Sequence, residues 1–488
     1  MKFTEKNKVL LIIHDVYQDH NYFPLGPAYL AAMLKEEGAH VEVYCMDVFH
    51  YTNDQLAEKL QECKYDLIGI GFKAPRFRET IIDLCNVVNE NKKDSWLVLG
   101  GQGPSPIPEY ILKTTKADVV AMGEAEDTIV DLLECKINNG SLARVDGIAY
   151  REGADDYVNK RRNPVVELDK IPLPEWEVFP IKEYSESVMM FGQEKEELSL
   201  AINTSRGCVA HCNFCYRMEK GLRRMSIPRV IEQINILYHK YKMSVFYIID
   251  ELFVSSKKRI YELEKALRKS HLRIKFGCDA RVNLMDKETI RSLKRCGCNF
   301  LCIGFESSDD NVLSLMSKNT TVAQNILALE NITEVGGIGI GLNFLWNNLG
   351  DTEKTLWKNV DMIKKYNTYD QVRTIRPATA YPGSPLYYKS IEMGLLKGPE
   401  DFFCKFKNSD LITVNYTDIP LKRCYELLLE ANRDLIYDHY KNTNGTMDEA
   451  DSLIQQFDDL YNGRIINFRG SRHYNRNESD VEIGKLRK

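Results

Sequence analysis

No run of 18 apolar residues occurs in this sequence, so it offers no candidate for a helix that crosses a membrane. The N-terminal stretch MKFTEKNKVLLIIHD leads directly into a strand pattern and lacks the order of a secretory signal. Basic charge is not in excess. The 65 Lys and Arg against 70 Asp and Glu leave a net charge of −5, without the electrostatic footprint of a nucleic-acid binder. The 13 cysteines are scattered over 488 residues and do not form the dense, regular spacing of a secreted disulfide scaffold. No GxGxxG follows the first strand pattern, which argues against a dinucleotide site. The expectation is a cytoplasmic protein with no membrane or nucleic-acid partner, long enough for two or three domains.

What is present centres on one stretch. An apolar strand pattern runs into Thr204-Ser205-Arg206-Gly207-Cys208, and Cys212 and Cys215 follow at spacings of three and two intervening residues. Such a loop can turn three thiolates onto one face of a metal cluster. Three thiolates hold three irons of a [4Fe–4S] cube and leave the fourth iron open for another ligand. A structural zinc site is the competing reading, but it normally closes with a fourth nearby Cys or His. His211 lies within the loop and no second CxxC follows at finger spacing, so the cluster reading is preferred. Cys278, Cys296, Cys298 and Cys302 make no second cluster pattern and are expected to be mainly buried apolar residues. Met316 and Met393 fall in helix patterns and are expected in the core.

Two series of alternating strand and helix patterns flank this stretch. The first has strand patterns at 8–13, 41–44, 67–71, 96–99 and 118–121, which predicts a parallel sheet covered on both faces. A ligand would sit beyond the carboxyl ends of its strands, near 14–26, 72–78, 100–105 and 122–124. The second has strand patterns at 199–204, 245–249, 273–277, 300–304, 339–345 and 371–376. Between the two, residues 147–158 read as a β-hairpin, and the prolines of 171–176 enforce an extended chain toward the next domain. After residue 398 the pattern is helical, at 421–440 and 447–461, and is expected to cap the second sheet's opening. A basic stretch at 468–477 reads as a tail.

The three-cysteine stretch, with aromatic Tyr216 after the third cysteine, closely resembles the motif of the radical S-adenosylmethionine (SAM) superfamily. The segments 23–34, 100–105 and 123–127 resemble the N-terminal domain of cobalamin-binding members of that superfamily. Gly304-Phe305-Glu306-Ser307 is similar to its GIES element, and 377–387 to the PYPGTPLY element of its cobalamin-dependent members. Two departures stand out: the DxHxxG motif that ligates cobalt in another cobalamin-binding group is absent, His14 and His20 not forming it, and 343–353 differs from the usual GLPGET loop.

The resemblance implies an α/β chain in four parts. These are a doubly wound, Rossmann-like or flavodoxin-like cobalamin-binding domain (1–140), a hairpin and extended linker (141–198), a partial (β/α)6 radical SAM barrel (199–394) and a mainly helical C-terminal region with a basic tail (395–488). It implies Cys208, Cys212 and Cys215 as cluster ligands. SAM contacts would come from Tyr216, Glu251, Arg281, Glu306 and Asn343, with a carboxylate for the SAM ammonium and Arg281 for its carboxylate. Cobalamin contacts would come from Leu25, Gly26, Phe72, Arg76, Gly100, Gly101, Gln102, Gly123 and Glu124. No further catalytic side chain is identified.

The implied activity is a methyltransferase acting on an unactivated carbon of a small molecule or natural-product precursor. It would use a 5′-deoxyadenosyl radical and methylcobalamin, with electrons from an external flavodoxin- or ferredoxin-type donor. A cobalamin-dependent cyclase or ring-rearranging enzyme and a non-catalytic cobalamin or iron–sulfur sensor are the alternatives.

Overall fold

The computed structural model describes residues 1–15, 22–187 and 193–465; His20 and the basic stretch 468–477 lie outside the described residues. The described chain divides into two compact units, one of residues 1–187 with 217–223, the other of 193–216 with 224–465. No described helix is long and apolar enough to cross a membrane.

In the first unit, β1 (Lys8–Ile13), β2 (His40–Cys45), β3 (Leu67–Gly71), β4 (Trp96–Gly100) and β5 (Val119–Ala121) form a parallel sheet in the order β2-β1-β3-β4-β5. β1, β3, β4 and β5 are apolar runs because both sheet faces are covered there, with Val9, Leu10, Leu67, Ile68, Leu97 and Val119 fully buried. The edge strand β2, by contrast, carries part-exposed His40 and Glu42. The helices between them are α1 (Leu25–Glu36), α2 (Asn53–Glu62), α3 (Ile82–Asn91), α4 (Pro108–Thr115) and α5 (Glu126–Ile137). α2 begins at a capping box, in which Thr52 and Gln55 each satisfy the other's backbone N–H. The strand order reverses between β1 and β3, so the carboxyl ends of these strands open the crevice where a doubly wound sheet binds its ligand.

The hairpin of β6 (Ile148–Glu152) and β7 (Asp155–Val158) extends this sheet, β6 pairing antiparallel with β5. The proline-rich segment after it folds back on the same unit. Glu175 N–H donates to Ala28 O, and Phe179 and Tyr184 meet the Phe23 ring edge-on at 5.1 and 5.6 Å.

The second unit is a curled, open parallel sheet, a half-barrel of six strands in sequential order. They are β8 (Leu198–Ile202), β9 (Met243–Ile248), β10 (Lys275–Ala280), β11 (Cys298–Glu306), β12 (Gly339–Trp346) and β13 (Arg376–Pro377). Helices α6 (Ile227–Lys240), α7 (Lys257–Lys269), α8 (Lys287–Arg295), α9 (Val322–Val335) and α10 (Glu353–Tyr366) alternate with the strands. After β13 a short helix, α11 (Pro385–Glu392), starts at a Ser384 cap with proline at its first turn. The C-terminal pair, α12 (Leu421–Lys441) and α13 (Met447–Tyr461), is fixed laterally as well as at the strand ends. Lys364 on α10 pairs with Asp434, Asn432 accepts the Ile375 N–H, and Asn347 at the end of β12 bonds Asn415. Met316 is buried as expected of a core residue, whereas Met393, just past α11, is 45% exposed. Cys278, Cys296 and Cys298 are buried; Cys302 is partly open.

Candidate functional site

The cysteine loop is held by the strand ends beneath it. Asp250, buried at the end of β9, accepts the Thr204 N–H and Thr204 hydroxyl at 2.6 Å each and the Ser205 hydroxyl at 2.7 Å. Arg259 donates to the carbonyls of Thr204 and Met225, locking the same turn from its other side. Gly207 then takes φ +82°, where a side chain would be strained, and the chain swings into Cys208. Farther along, Asn213 ties the Cys212–Cys215 turn to three places. Its N–H donates to Met316 O, its side-chain amide to Leu315 O, and its carbonyl accepts from Leu386 N–H. Asn348 of the loop after β12 faces the same side chain at 3.4 Å. The stretch similar to PYPGTPLY is thus a turn and helix start packed behind the cysteine loop.

Among the three cysteines, Cys212 is buried, Cys208 half-buried and Cys215 exposed. Although Cys215 reaches solvent, the protein mass around it pushes its thiol up to about 12, with the neighbouring Cys212 and Glu306 adding to the effect and Lys318 opposing it. Hydrogen-bond donors already address the sulfurs: Ala210 N–H points at Cys208 Sγ and an Arg281 N–H at Cys212 Sγ, both at 3.4 Å. Among the described residues no three His, Cys, Asp or Glu side chains are close enough to share one metal ion. A cube presents a separate iron to each thiolate, so its ligands stand farther apart than those of a single ion. Three thiols on one anchored loop, two with N–H donors at sulfur, fit a [4Fe–4S] cluster in donor chemistry and number.

Beside the loop lies a buried charge cluster. Arg281, just past β10, also donates to Lys318 O, and Lys318 Nζ pairs with Glu306 at 2.7 Å. Both side chains of that pair are under a tenth exposed, and Glu306 sits at φ +66°, a conformation that a non-glycine residue adopts at a cost. Lys318 is therefore a charged group of the site that sequence reasoning missed. It lies in the turn before α9, away from any strand end, and only the fold brings it to Glu306.

The other expected SAM residues separate. Glu251 is exposed just after β9, beside the buried Asp250, and Tyr216 is half-buried next to Cys215. Asn343 lies in mid-strand on β12 and donates to Cys302 Sγ at 3.1 Å, which puts it with a different set of side chains from Arg281 and Glu306.

In the first unit, three of the predicted cobalamin segments converge at the strand ends. Gly101 at φ +98° and Gly103 leave room for Phe72: an added Cβ would come within 2.9 Å of Phe72 O and 2.8 Å of its ring respectively. Ser105 donates to Gly101 O and accepts the Gly123 N–H, joining the loops after β4 and β5. Gly26, at the start of α1, faces open space, Gln102 is exposed and Leu25 is buried beneath the helix end. Gly100 ends β4 with room for a Cβ. Glu124 is engaged differently, in an ion pair with Arg223, which also donates to Val165 O.

Arg76 comes near His14, at the end of β1. Burial holds the His14 imidazole down at about 4, with the Arg76 charge helping, so this ring is neutral at physiological pH. Next to it Asp15 pairs with His50 Nδ1 at 2.7 Å. The space in front of Gly26, the room at Gly100 and the exposed Gln102 fit a large, flat, amide-rich cofactor such as cobalamin at these strand ends.

Comparison with known proteins agrees with this geometry. The B12 binding domain family matches residues 11–133 and the Radical SAM superfamily matches residues 202–363. The "Uncharacterized methyltransferase PH0819" of Pyrococcus horikoshii is 27% identical over 76% of this chain and 79% of its own length. The anaerobic magnesium-protoporphyrin IX monomethyl ester cyclase of Rubrivivax gelatinosus is 25% identical over 73% of this chain and 66% of its own length. Among solved structures, the cobalamin-dependent S-adenosylmethionine radical enzyme OxsB, with aqua-cobalamin and S-adenosylmethionine bound, aligns with TM-score 0.64 at 22% identity. That alignment covers 80% of this chain but 55% of OxsB, so the likeness is one of fold. The protein is a radical SAM enzyme that carries a B12 binding domain, and its cofactors are a [4Fe–4S] cluster, SAM and cobalamin.

Proposed function

We infer that this enzyme is a methyltransferase that adds a methyl group to an unactivated carbon of a small molecule. When bound, the cluster with SAM supplies a 5′-deoxyadenosyl radical and cobalamin supplies the methyl group; the protein supplies position and electrostatics. The observation that carries the reading is the pairing of the two families in one chain, shared over about three quarters of both proteins with a relative named as a methyltransferase.

The chain's own residues have definite tasks under this reading. Cys208, Cys212 and Cys215 hold the cluster, and the Arg281 N–H at Cys212 Sγ stabilises thiolate charge there. Arg281 and Lys318 place two cations beside the cysteine loop, where the SAM carboxylate needs a partner. Exposed Glu251 is placed to accept from the SAM ammonium. The strand-end loops with Gly26, Phe72, Gly100, Gly101 and Gln102 take the cobalamin, with Arg76 and neutral His14 beside them. No side chain is assigned general acid–base work.

An external low-potential carrier supplies the electron. The relatives named as cyclases support the second reading, ring closure without methyl transfer. The deciding experiment supplies SAM with a trideuterated methyl group and a metabolite extract of the native host to the reconstituted enzyme. Methyl transfer yields S-adenosylhomocysteine and a product three mass units heavier than with ordinary SAM. Formation of 5′-deoxyadenosine without either would overturn the methyltransferase reading in favour of the cyclase class.

A further inference from the structure

The half-barrel sheet has two unlike faces. On the helix-covered face, Phe246, Ile248, Phe276, Cys278, Leu301, Ile303, Ile340 and Leu342 are at most 2% exposed, as a fully covered parallel strand requires. Strand alternation places the intervening residues on the concave face. The register sets Tyr247 beside Gly277, Asp279 beside Cys302, and Gly304 beside Asn343. This face is partly open: Tyr247, Asp279 and Cys302 are half-buried, and Asn343 is exposed in the middle of a strand. A polar residue from each of four successive strands on an uncovered face is not what packing alone selects.

These four residues also touch. Tyr247 donates to Asp279 at 2.9 Å, Asn343 donates to Cys302 Sγ at 3.1 Å, and Asp279, the register neighbour of Cys302, adds its charge to the burial that pushes the Cys302 thiol up. Glycines on the neighbouring strands make room for the Tyr247 ring and for Cys302. A Cβ at Gly277 would meet the Tyr247 ring at 3.1 Å, and one at Gly341 would meet Cys302 Cα at 3.0 Å and Sγ at 3.4 Å. Below the row, Phe300 with Arg373 stacked at 5.8 Å on its ring closes the floor.

The hydrogen-bond inventory has a direction. The Tyr247 O–H and one of the two Asn343 N–H hydrogens are already directed at neighbours within the row, which leaves a single N–H as a donor against several acceptors. The lone pairs of the Asp279 carboxylate, the Asn343 carbonyl and the Tyr247 oxygen are acceptors. An uncovered row dominated by acceptors is satisfied by a ligand that brings hydrogens. An apolar ligand there would strip water from these groups and give nothing back.

We propose that the Tyr247–Asp279–Cys302–Asn343 row orients the substrate, and that the substrate presents a hydroxyl or amino hydrogen to Asp279 and Asn343, which makes it a polar small molecule and not a hydrocarbon. This rests on the enzyme reading above and names the class of its substrate.

The test divides a metabolite extract of the native host into an aqueous and a heptane phase. Each is given to the reconstituted holoenzyme with SAM and dithionite, and 5′-deoxyadenosine and S-adenosylhomocysteine are measured against a no-extract control. The aqueous phase should raise turnover and the heptane phase should not. In Asp279→Leu, the amount of aqueous extract needed for half-maximal stimulation should rise roughly tenfold, the loss of one hydrogen bond to a charged group. The milder Tyr247→Phe should shift it in the same direction, and the iron–sulfur absorbance reports that each variant is folded and loaded. Stimulation confined to the heptane phase, or both variants responding as the wild type does, would overturn the proposal. Extract-dependent 5′-deoxyadenosine without S-adenosylhomocysteine would leave the site standing and remove only methyl transfer.

Discussion

The pair of Lys318 and Glu306 offers a quantitative test of how the charge cluster beside the cysteine loop is built. Its N–O distance is 2.7 Å, and the two side chains are 5% and 9% exposed. Breaking a buried pair by removing one partner costs about 3–5 kcal/mol, because the remaining charge stays buried without compensation. Lys318→Met should therefore lower the unfolding free energy by about that amount. With a urea slope near ~3 kcal/mol/M, the midpoint should fall by about 1 to 1.7 M. Replacing both partners removes the stranded charge, so Lys318→Met with Glu306→Gln should recover most of the loss. The assay is anaerobic urea unfolding of wild type, both single variants and the double variant, followed by circular dichroism. A loss below ~1 kcal/mol in Lys318→Met, or a double variant no more stable than it, would refute the claim that an uncompensated buried charge sets the cost.

Changing Cys208, Cys212 or Cys215 singly to Ala should abolish the broad ~400 nm absorbance and SAM cleavage, while Cys404→Ala, an exposed cysteine elsewhere, should retain both. Arg281→Met and Glu251→Gln should each keep the cluster spectrum but raise the SAM dissociation constant roughly tenfold to a hundredfold, measured by anaerobic equilibrium binding; unchanged affinity would place the contact elsewhere. Reconstituted protein should bind about one equivalent of cobalamin, with no protein nitrogen splitting in its cob(II)alamin electron paramagnetic resonance; a histidine-ligated spectrum would put an imidazole below the metal. The His14 pKa, depressed from 6.5 to about 4, gives stability that is present above 6.5 and lost as pH falls toward 4, because the unfolded chain takes up the proton first. Replacing His14 with Gln should flatten that part of the urea-midpoint profile. Asp47, raised from 3.8 to about 7 by burial, tilts stability the opposite way over much of the same range, so the comparison is made between the variant and wild type at each pH.

The inner strands of the first sheet were legible because parallel strands buried on two faces must be almost wholly apolar, as in Lys8–Ile13. Those of the second sheet were legible because their helix-covered face stays apolar from Met243–Ile248 to Gly339–Trp346. The rule fails at the last strand. A run at 371–376 suggested a full strand, yet β13 holds only Arg376 and Pro377. Tertiary partners account for the difference. Arg373 reaches across to Ile340 O, and the Ile375 N–H, which a longer strand would direct into its ladder, is taken by the Asn432 side chain of α12. The hairpin at 148–158 was legible as a hairpin; its pairing to β5 was not, since no local pattern says which sheet edge a hairpin will meet.

The site divides along the same line between local and distant information. The cysteine spacing and Gly207 before it are local, and each reads from consecutive residues. Charge matching to SAM is different, because it supposes that a carboxylate at a strand end is available to a ligand. For Glu306 that supposition meets Lys318, 12 residues onward, whose ammonium already holds the carboxylate. A free-carboxylate role for Glu306 thus requires that pair to open, whereas Arg281 stands at the cysteine loop with its guanidinium against Cys212 Sγ. Asn343 departs for a related reason. A period of two tells which residues share a face, but only the register and the contacts between strands show that Tyr247, Asp279, Cys302 and Asn343 follow one another diagonally across four strands. Under the proposed function, strand-end residues near the cysteines serve SAM and the cluster, and mid-strand residues of the concave face serve the molecule the radical is aimed at.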